Sequence, residues 1–359
     1  MRVDIYGLFN ATSGWGTHCR SFAIALAREH AVKAVAWDDD RRKKHLPGSD
    51  VPFAAPDPTA DVAICAGPLD RTQDVAGRYR IAYFAWETTR VASHHRTALL
   101  GFDEIWVPSR WGREVLVANG FAPGRVHVVP EGVDADFFTP ASGPPEGPFR
   151  FLCVGKWEER KGIAGLARCF STTFAAEEEV ELLLHAHNPY LPGFALERAI
   201  AVLGLQAGKG AAIRPSMPLD TPALAALYRN CHAFVLPTRA EGWGLPILEA
   251  MASGLPTIAT HYSAQQDYLN ERNGFPVRVA AMIPVHDPFF YSAGETLGDW
   301  AEPDWDHLSA SMRFVFENRA AARERGKRAR HDAVTLWSWQ NAAKAASRRL
   351  ALCLRSPTT

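Results

Sequence analysis

The stretch PTRAEGWGLPILEAMASGLP, Pro237 to Pro256, decides how the rest of the chain is read. The apolar run before it, His232 to Leu236, predicts a buried strand. Arg239, Ala240 and Glu241 then form a turn, and Gly242 and Gly244 leave backbone amides uncovered by side chains. Pro246 suits the first turn of a helix, Ile247 to Ala252 is good helix sequence, and Gly254 stops it. A strand thus delivers a carboxylate, a bare glycine turn and a helix N-terminus to one place. Such an N-terminus carries unpaired N–H groups and partial positive charge, so it suits a phosphate. Glu241 points toward whatever sits beside that phosphate. Glu249, about one turn into the helix, reaches a second hydroxyl-bearing group. A carboxylate accepts two hydrogen bonds from a vicinal diol, so two carboxylates flanking a phosphate site suit a nucleotide sugar.

At 359 residues the chain exceeds a usual single core, and two domains are expected. Hydrophobic residues at 47% and charged residues at 22% fit a soluble globular enzyme. Lys+Arg and Asp+Glu both number 39, so net charge gives no indication of a nucleic-acid partner, and none is expected. The six cysteines lack CxxC pairing and mostly sit in apolar runs, as reduced core cysteines do, so neither a zinc site nor a disulfide framework is expected. Neither a signal peptide nor an apolar run near 18 residues is visible, which predicts a cytoplasmic protein that at most touches the inner face of a membrane.

In the first half, strands are expected over Arg2–Leu8, Val32–Trp37, Asp61–Cys65, Arg80–Ala85 and Asp103–Val107. After the first strand, Gly14 and Gly16 are placed in a loop, with Ser13 or Thr17 capping a helix that runs to about Arg28. GWGTHC with Asp38 downstream mimics a dinucleotide fingerprint, but the loop is long and Cys19 stands where the third glycine belongs. Arg41 to Lys44 reads as a solvated charge run, with contact to anionic lipid or an acidic acceptor as the minority reading. Glu87 leaves the end of the Arg80–Ala85 strand, where open α/β sheets place their ligands. His94 and His95 read as helix-surface residues, and Ser109 as a helix cap. Ser142 to Pro148 reads as a linker.

The second half restarts with a strand over Arg150–Val154, followed by Gly155 and by Lys156 and Lys161 flanking a turn before a helix. Two cations beside a helix N-terminus are what a diphosphate needs as it leaves. Arg160 reads as solvated. His187 and Asn188 read as satisfied loop polar groups, with a place beside a nucleobase or ribose as the second reading. Pro284 to Pro303 reads as a long aromatic-rich loop, and Asp304–Asn318, Arg319–His331 and Val334–Leu354 as helices. Trp337 and Trp339 read as packing anchors.

The Glu241–x7–Glu249 spacing with its glycines, Pro246 and the following GLP resembles the signature of the retaining GT-B glycosyltransferases of family 4 type. The resemblance is carried further by Lys156 and Lys161 and by Pro130, Gly132, Val133 and Asp134. It implies two Rossmann-like α/β domains facing a central cleft, with boundaries at 1–145 and 149–333, and a final helix, 334–359, crossing back to the first domain. It further implies sugar transfer from a nucleoside diphosphate sugar to an acceptor hydroxyl with retention, needing no metal and no cofactor beyond the donor substrate. The acceptor is a glycan, a lipid-linked species or a protein, and a membrane contact would be peripheral. Under that resemblance Glu241, Lys161, Lys156 and Glu87 are the catalytic candidates. Gly16, Gly242, Trp243, Gly244, Leu245 and Glu249 are the donor-binding ones. Lys156 stands where relatives most often have Arg, and Trp86, with Glu87 beside it, where many have a histidine. The competing readings are a nucleotide-sugar epimerase of the same fold and a non-catalytic nucleotide-sugar-binding protein.

Overall fold

The computed structural model describes residues 1–38, 43–205, 212–217, 219–291 and 294–353. Arg41 and Arg42 of the expected charge run, and Leu354 at the end of the expected last helix, lie outside the described residues. The chain forms two compact units, one of residues 1–132 with 337–359 and one of residues 133–336.

The first unit is built on β1 (Arg2–Gly7), α1 (Gly14–Leu26), β2 (Ala31–Ala36), β3 (Val62–Cys65), β4 (Arg80–Tyr83), α2 (Ser93–Leu100), β5 (Glu104–Val107), α3 (Arg110–Ala118) and β6 (Val126–Val128). All six strands are parallel, in the order β2-β1-β3-β4-β5-β6. VAIC and EIWV are buried along their whole length, as strands covered on both faces by helices must be. The second unit repeats the design with β7 (Phe149–Val154), α4 (Ile163–Thr173), β8 (Val180–His185), α5 (Leu196–Val202), β9 (Ala212–Pro215), α6 (Thr221–Arg229), β10 (Ala233–Leu236), α7 (Leu245–Ala252), β11 (Thr257–Thr260) and β12 (Phe275–Val277). Its parallel order is β12-β11-β10-β7-β8-β9. The order reverses between β7 and β10, so the loops leaving these two strands open side by side at the switch point, where such sheets hold ligands.

Four expectations are corrected here. The Pro284–Pro303 segment is not a plain loop: β13 (Val279–Pro284) and β14 (Asp299–Pro303) pair antiparallel. β13, VAAMIP, has no buried residue, so it shows none of the alternation between buried and exposed positions that a sequence reading detects. Gly14 and Gly16 lie in α1 itself rather than in the loop before it, and neither Ser13 nor Thr17 caps it with a side chain. A Cβ on Gly16 would fall 1.9 Å from the Ala11 carbonyl oxygen, so the glycine lets the loop fold back on the first turn. Asp38, the acid of the dinucleotide-like pattern, takes the amides of Phe9, Asn10 and Ala11 at 2.8, 2.8 and 2.9 Å; it ties the same loop. After α8 (Trp305–Glu317), α9 runs from Arg319 to Leu336, and the break before α10 (Trp339–Cys353) falls at Trp337–Ser338 rather than near Val334.

Helix α10 packs on α1 in the first unit. Arg349 donates to both oxygens of the buried Glu104 at 3.0 Å, Tyr79 adds a hydroxyl at 3.0 Å and Trp106 its indole N–H at 2.9 Å. Burial would raise the Glu104 pKa, but these donors, led by Arg349, hold it below the ordinary carboxylate range. Trp339 is buried, its ring centroid 6.2 Å from that of His18, and Gly132 lies so close that a Cβ would sit 2.2 Å from the Trp339 nitrogen. All six cysteines are free and buried, as expected of core thiols.

Candidate functional site

The two loops at the switch point of the second unit are built alike. Each leaves a buried strand, reaches a glycine with left-handed backbone and enters a helix with no side-chain cap. After β7 that glycine is Gly162 (φ +66°) before α4; after β10 it is Gly244 (φ +95°) before α7. The first-turn amides of both helices are therefore left to bind something other than their own caps. Pro246, in the first turn of α7, has no amide to offer.

The loops are stitched together by backbone and charge. The Arg239 amide donates to the Arg160 carbonyl at 2.7 Å, and Thr238 Oγ1 donates to it at 3.3 Å. Lys161 Nζ lies 2.7 Å from Glu241 Oε1, and Arg160 Nη1 lies 3.2 Å from Oε2 and 2.6 Å from the Ala240 carbonyl. Arg160 Nη2 reaches Glu158 Oε1 at 2.6 Å, and Lys156 Nζ reaches Glu158 Oε2 at 3.1 Å. Five charges thus alternate in a line, Lys156, Glu158, Arg160, Glu241, Lys161, with one net positive charge. Burial alone would push Glu241 up; Lys161 and then Arg160 outweigh it and hold the carboxyl down at about 2. Glu158 is likewise raised by burial and lowered further by Arg160, Lys156 and Lys161.

This network corrects the reading of Arg160 as solvated: the residue is 3% exposed. Its neighbours in ERKG gave no periodicity that separates a buried guanidinium from an exposed one. Glu158 was missed for the same reason. The structure brings Glu241 and Lys161 into direct contact but holds Lys156 at the far end of the line. There its ammonium also lies 5.2 and 5.1 Å from the ring centroids of Tyr190 and Phe290. Phe290 arrives from the β13–β14 connection, where buried Asp287 takes the amides of Phe289 and Phe290 at 2.9 Å and of Glu159 at 3.3 Å.

Around Glu241, the backbone amide donates to Ser263 Oγ at 2.8 Å. Ser263 holds a left-handed φ of +61°, unusual for a residue with a Cβ, and was not anticipated. Trp243 is buried with its ring 5.2 Å from Tyr268, and its carbonyl accepts from the Tyr268 hydroxyl at 2.7 Å, so its indole belongs to the core. Gly242 lies two residues before Gly244, and Leu245 opens α7 directly after it. A Cβ on Gly244 would lie 2.6 Å from the Tyr268 hydroxyl.

Among the described residues, Glu249 has no cation beside it. It is 9% exposed, accepts from the Tyr228 hydroxyl at 2.9 Å, and burial lifts its pKa to about 7. The folded protein keeps a proton on Glu249 to higher pH than the unfolded chain, whose carboxyl has the ordinary value of 4.5, so stability falls as pH rises from about 4.5 to about 7. Glu249→Gln keeps an oxygen for Tyr228 and carries no charge. Melting is expected to match wild type at pH 5 and to show the variant about 3 kcal/mol more stable at pH 8. An equal gap at both pH values would remove the charge as its cause.

His187 and Asn188 are satisfied by neighbouring loops, His187 Nε2 at 2.7 Å from the Ser216 carbonyl and Asn188 Nδ2 donating to that of Trp157 at 2.9 Å. A groove of about 940 Å³ lies beside the charged line, walled among others by Trp157, Glu158, Arg168, Phe194, Phe290 and Trp305; neither Glu241 nor Glu249 lines it. Gly16 and Glu87 belong to the first unit, Gly16 in the first turn of α1 and Glu87 half-buried beyond β4. Among the described residues, no three His, Cys, Asp or Glu side chains are grouped to hold a metal ion.

The switch point thus brings together two helix starts without side-chain caps, a buried lysine on a carboxylate and a second buried carboxylate one turn on, in a chain whose two parallel six-stranded sheets are of the GT-B type. Residues 148–288 match the family model described as Glycosyl transferases group 1, a span that holds Lys156, Glu158, Arg160, Lys161, Glu241 and Glu249 but not Phe290, Gly16 or Glu87. It is 28% identical over 240 residues to the MMP alpha-(1->4)-mannosyltransferase of Mycolicibacterium hassiacum, an alignment covering 67% of this chain and 51% of that one. It is 28% identical over 239 residues to the GDP-mannose:cellobiosyl-diphosphopolyprenol alpha-mannosyltransferase of Xanthomonas campestris, covering 63% and 60%. The chain spans about half the length of the curated relatives it matches. Among solved structures, sucrose-phosphate synthase from Thermosynechococcus elongatus superposes with a TM-score of 0.73 at 17% identity, covering 99% of each chain. Anabaena HepE in complex with UDP and glucose superposes with 0.73 at 13%, covering 98% of this chain and 100% of that one. At such identities the likeness is one of fold.

Proposed function

We propose that this protein is a retaining glycosyltransferase of family 4 type that moves a sugar from a nucleoside diphosphate sugar to an acceptor hydroxyl in glycan or glycoconjugate synthesis. The observation that carries the reading is the buried Lys161–Glu241 pair set between two helices whose first turns no side chain caps. Lys161, with the amides around Gly244 and Leu245, stabilises the departing diphosphate. Lys156 adds a second positive charge at the far end of the line. Glu241 and the amides of Gly242 and Trp243 orient the sugar, and Glu249 accepts from the ribose hydroxyls. Glu87 and the Gly16 turn are assigned to the acceptor and the diphosphate respectively. The acceptor hydroxyl gives its proton to a donor phosphate oxygen, and the sugar is replaced from the face that the diphosphate leaves. Helix amides and ammonium groups supply the positive charge, so transfer needs no metal and no cofactor. The acceptor is a glycan, lipid-linked or protein species, met in the cytoplasm or at the inner face of a membrane; no described helix is long and apolar enough to cross one.

The names of two relatives make mannose donors the first to try. Purified protein is incubated with UDP-, GDP-, ADP- and dTDP-sugars, with and without EDTA, and nucleoside diphosphate is measured. Slow release from one donor, unchanged by EDTA, is expected. Sugar inversion without release would replace this reading with the epimerase, and tight binding with neither would leave a binding protein.

A further inference from the structure

We propose that Arg160 is a positioning residue: it keeps Glu241 charged and in place when Lys161 turns from that carboxylate to the diphosphate of a bound donor. This rests on the donor-site reading above. In the free protein each oxygen of Glu241 holds one cation, Lys161 on Oε1 at 2.7 Å and Arg160 on Oε2 at 3.2 Å. A lysine cannot direct all its charge to a carboxylate and to a phosphate at once. Once Lys161 engages the phosphate, Glu241 would be a buried carboxylate robbed of its nearest counter-charge.

The helix that follows shows what happens to such a group. Glu249 is also buried, has a tyrosine hydroxyl but no cation beside its carboxyl among the described residues, and binds a proton up to about pH 7. A protonated Glu241 would offer the sugar hydroxyls one lone-pair set fewer and a donor in the wrong place. Arg160 prevents this because it cannot follow Lys161. Its two terminal nitrogens are held by Glu158 at 2.6 Å and by the Ala240 carbonyl at 2.6 Å, and its own carbonyl takes the Arg239 amide. The groups facing the Glu241 carboxyl are Lys161 and Arg160 as cations, with Thr238 as a hydrogen-bond partner; Glu158 and Lys156 stand one step behind Arg160 and cancel each other. One cation moves and the other stays: a flexible ammonium serves the leaving group, and a planar guanidinium, fixed by its fork, serves the carboxylate.

The test needs no donor in its first arm. Carboxyl-labelled glutamate is followed by carbon NMR, with the Glu241 signal assigned by its loss in Glu241→Gln. Wild type and Lys161→Ala are expected to titrate below pH 4, because Arg160 remains. Lys161→Ala with Arg160→Gln is expected to rise by about 1–3 pH units above Lys161→Ala alone. Lys161→Ala with Arg160→Lys, which keeps a cation, is expected to stay near the single variant, and Lys161→Ala with Arg160→Met, uncharged and of similar length, stands in should the glutamine variant not fold. Equal Glu241 titration with arginine, lysine and glutamine at position 160 overturns the proposal. So does a rise with lysine as large as that with glutamine. In the second arm, the acid limb of donor hydrolysis in Arg160→Gln moves up with the NMR value, whereas a purely structural role would lower the rate at every pH alike. If the NMR arm holds and no variant or wild type binds UDP or GDP, the donor-site reading fails while the charge assignment stands.

Discussion

Lys161→Ala is expected to lower transfer from a nucleotide sugar by about 10²–10³-fold, about 3–4 kcal/mol of transition-state stabilisation. Lys161 is 6% exposed, so its ammonium acts in a site with little water to screen it. Nucleoside diphosphate gains negative charge as the bond to the sugar breaks, so the interaction grows toward the transition state and shows in kcat. Stability is expected to fall much less than the about 3–5 kcal/mol of a stranded buried charge, because Arg160 still faces Glu241. Initial rates and melting on one preparation separate the two effects. A rate within about threefold of wild type would take Lys161 out of the chemistry.

The second large effect is structural. Gly162→Ala is expected to cost about 1–3 kcal/mol for a left-handed φ of +66° and about 1–3 kcal/mol more for overpacking. The added Cβ would sit 2.4 Å from the Pro237 carbonyl oxygen, and backbone cannot swing away as a side chain would. Relief means parting the β7 loop from the β10 loop, which separates Lys161 from Glu241. Urea unfolding should show the loss, and donor affinity should fall with it. Gly193→Ala makes the control: its φ of +70° is similar but no atom lies within 4 Å, so only the backbone cost remains.

These contacts show where the reading from sequence succeeds and where it stops. Strand, glycine turn and helix at Pro237–Pro256 were legible because the signals are local: an apolar run, glycines and a proline at the helix start. Glu241 and Lys161 were joined by chemistry, since an acid and a base before two helix starts suit one ligand. Arg160 was not legible. Whether a guanidinium in ERKG is buried depends on the Ala240 carbonyl, eighty positions away. Ser263 was hidden likewise, because its part depends on a backbone angle that its residue type does not favour. The β13–β14 hairpin was lost because its strands are short and β13 has no buried residue, yet it carries the ring that lies against Lys156.

The first unit is written in two pieces. Its body ends at Gly132, and its closing helix comes only after the 204 residues of the second unit, 133–336, have been made. Until α10 emerges from the ribosome, α1 lacks the helix that packs on it, and Glu104 lacks Arg349. The second unit is continuous and can close as soon as it is out. The half synthesised first is therefore the half that matures last, and a chain truncated at residue 336 should resist protease from residue 133 onward while its opening third is digested.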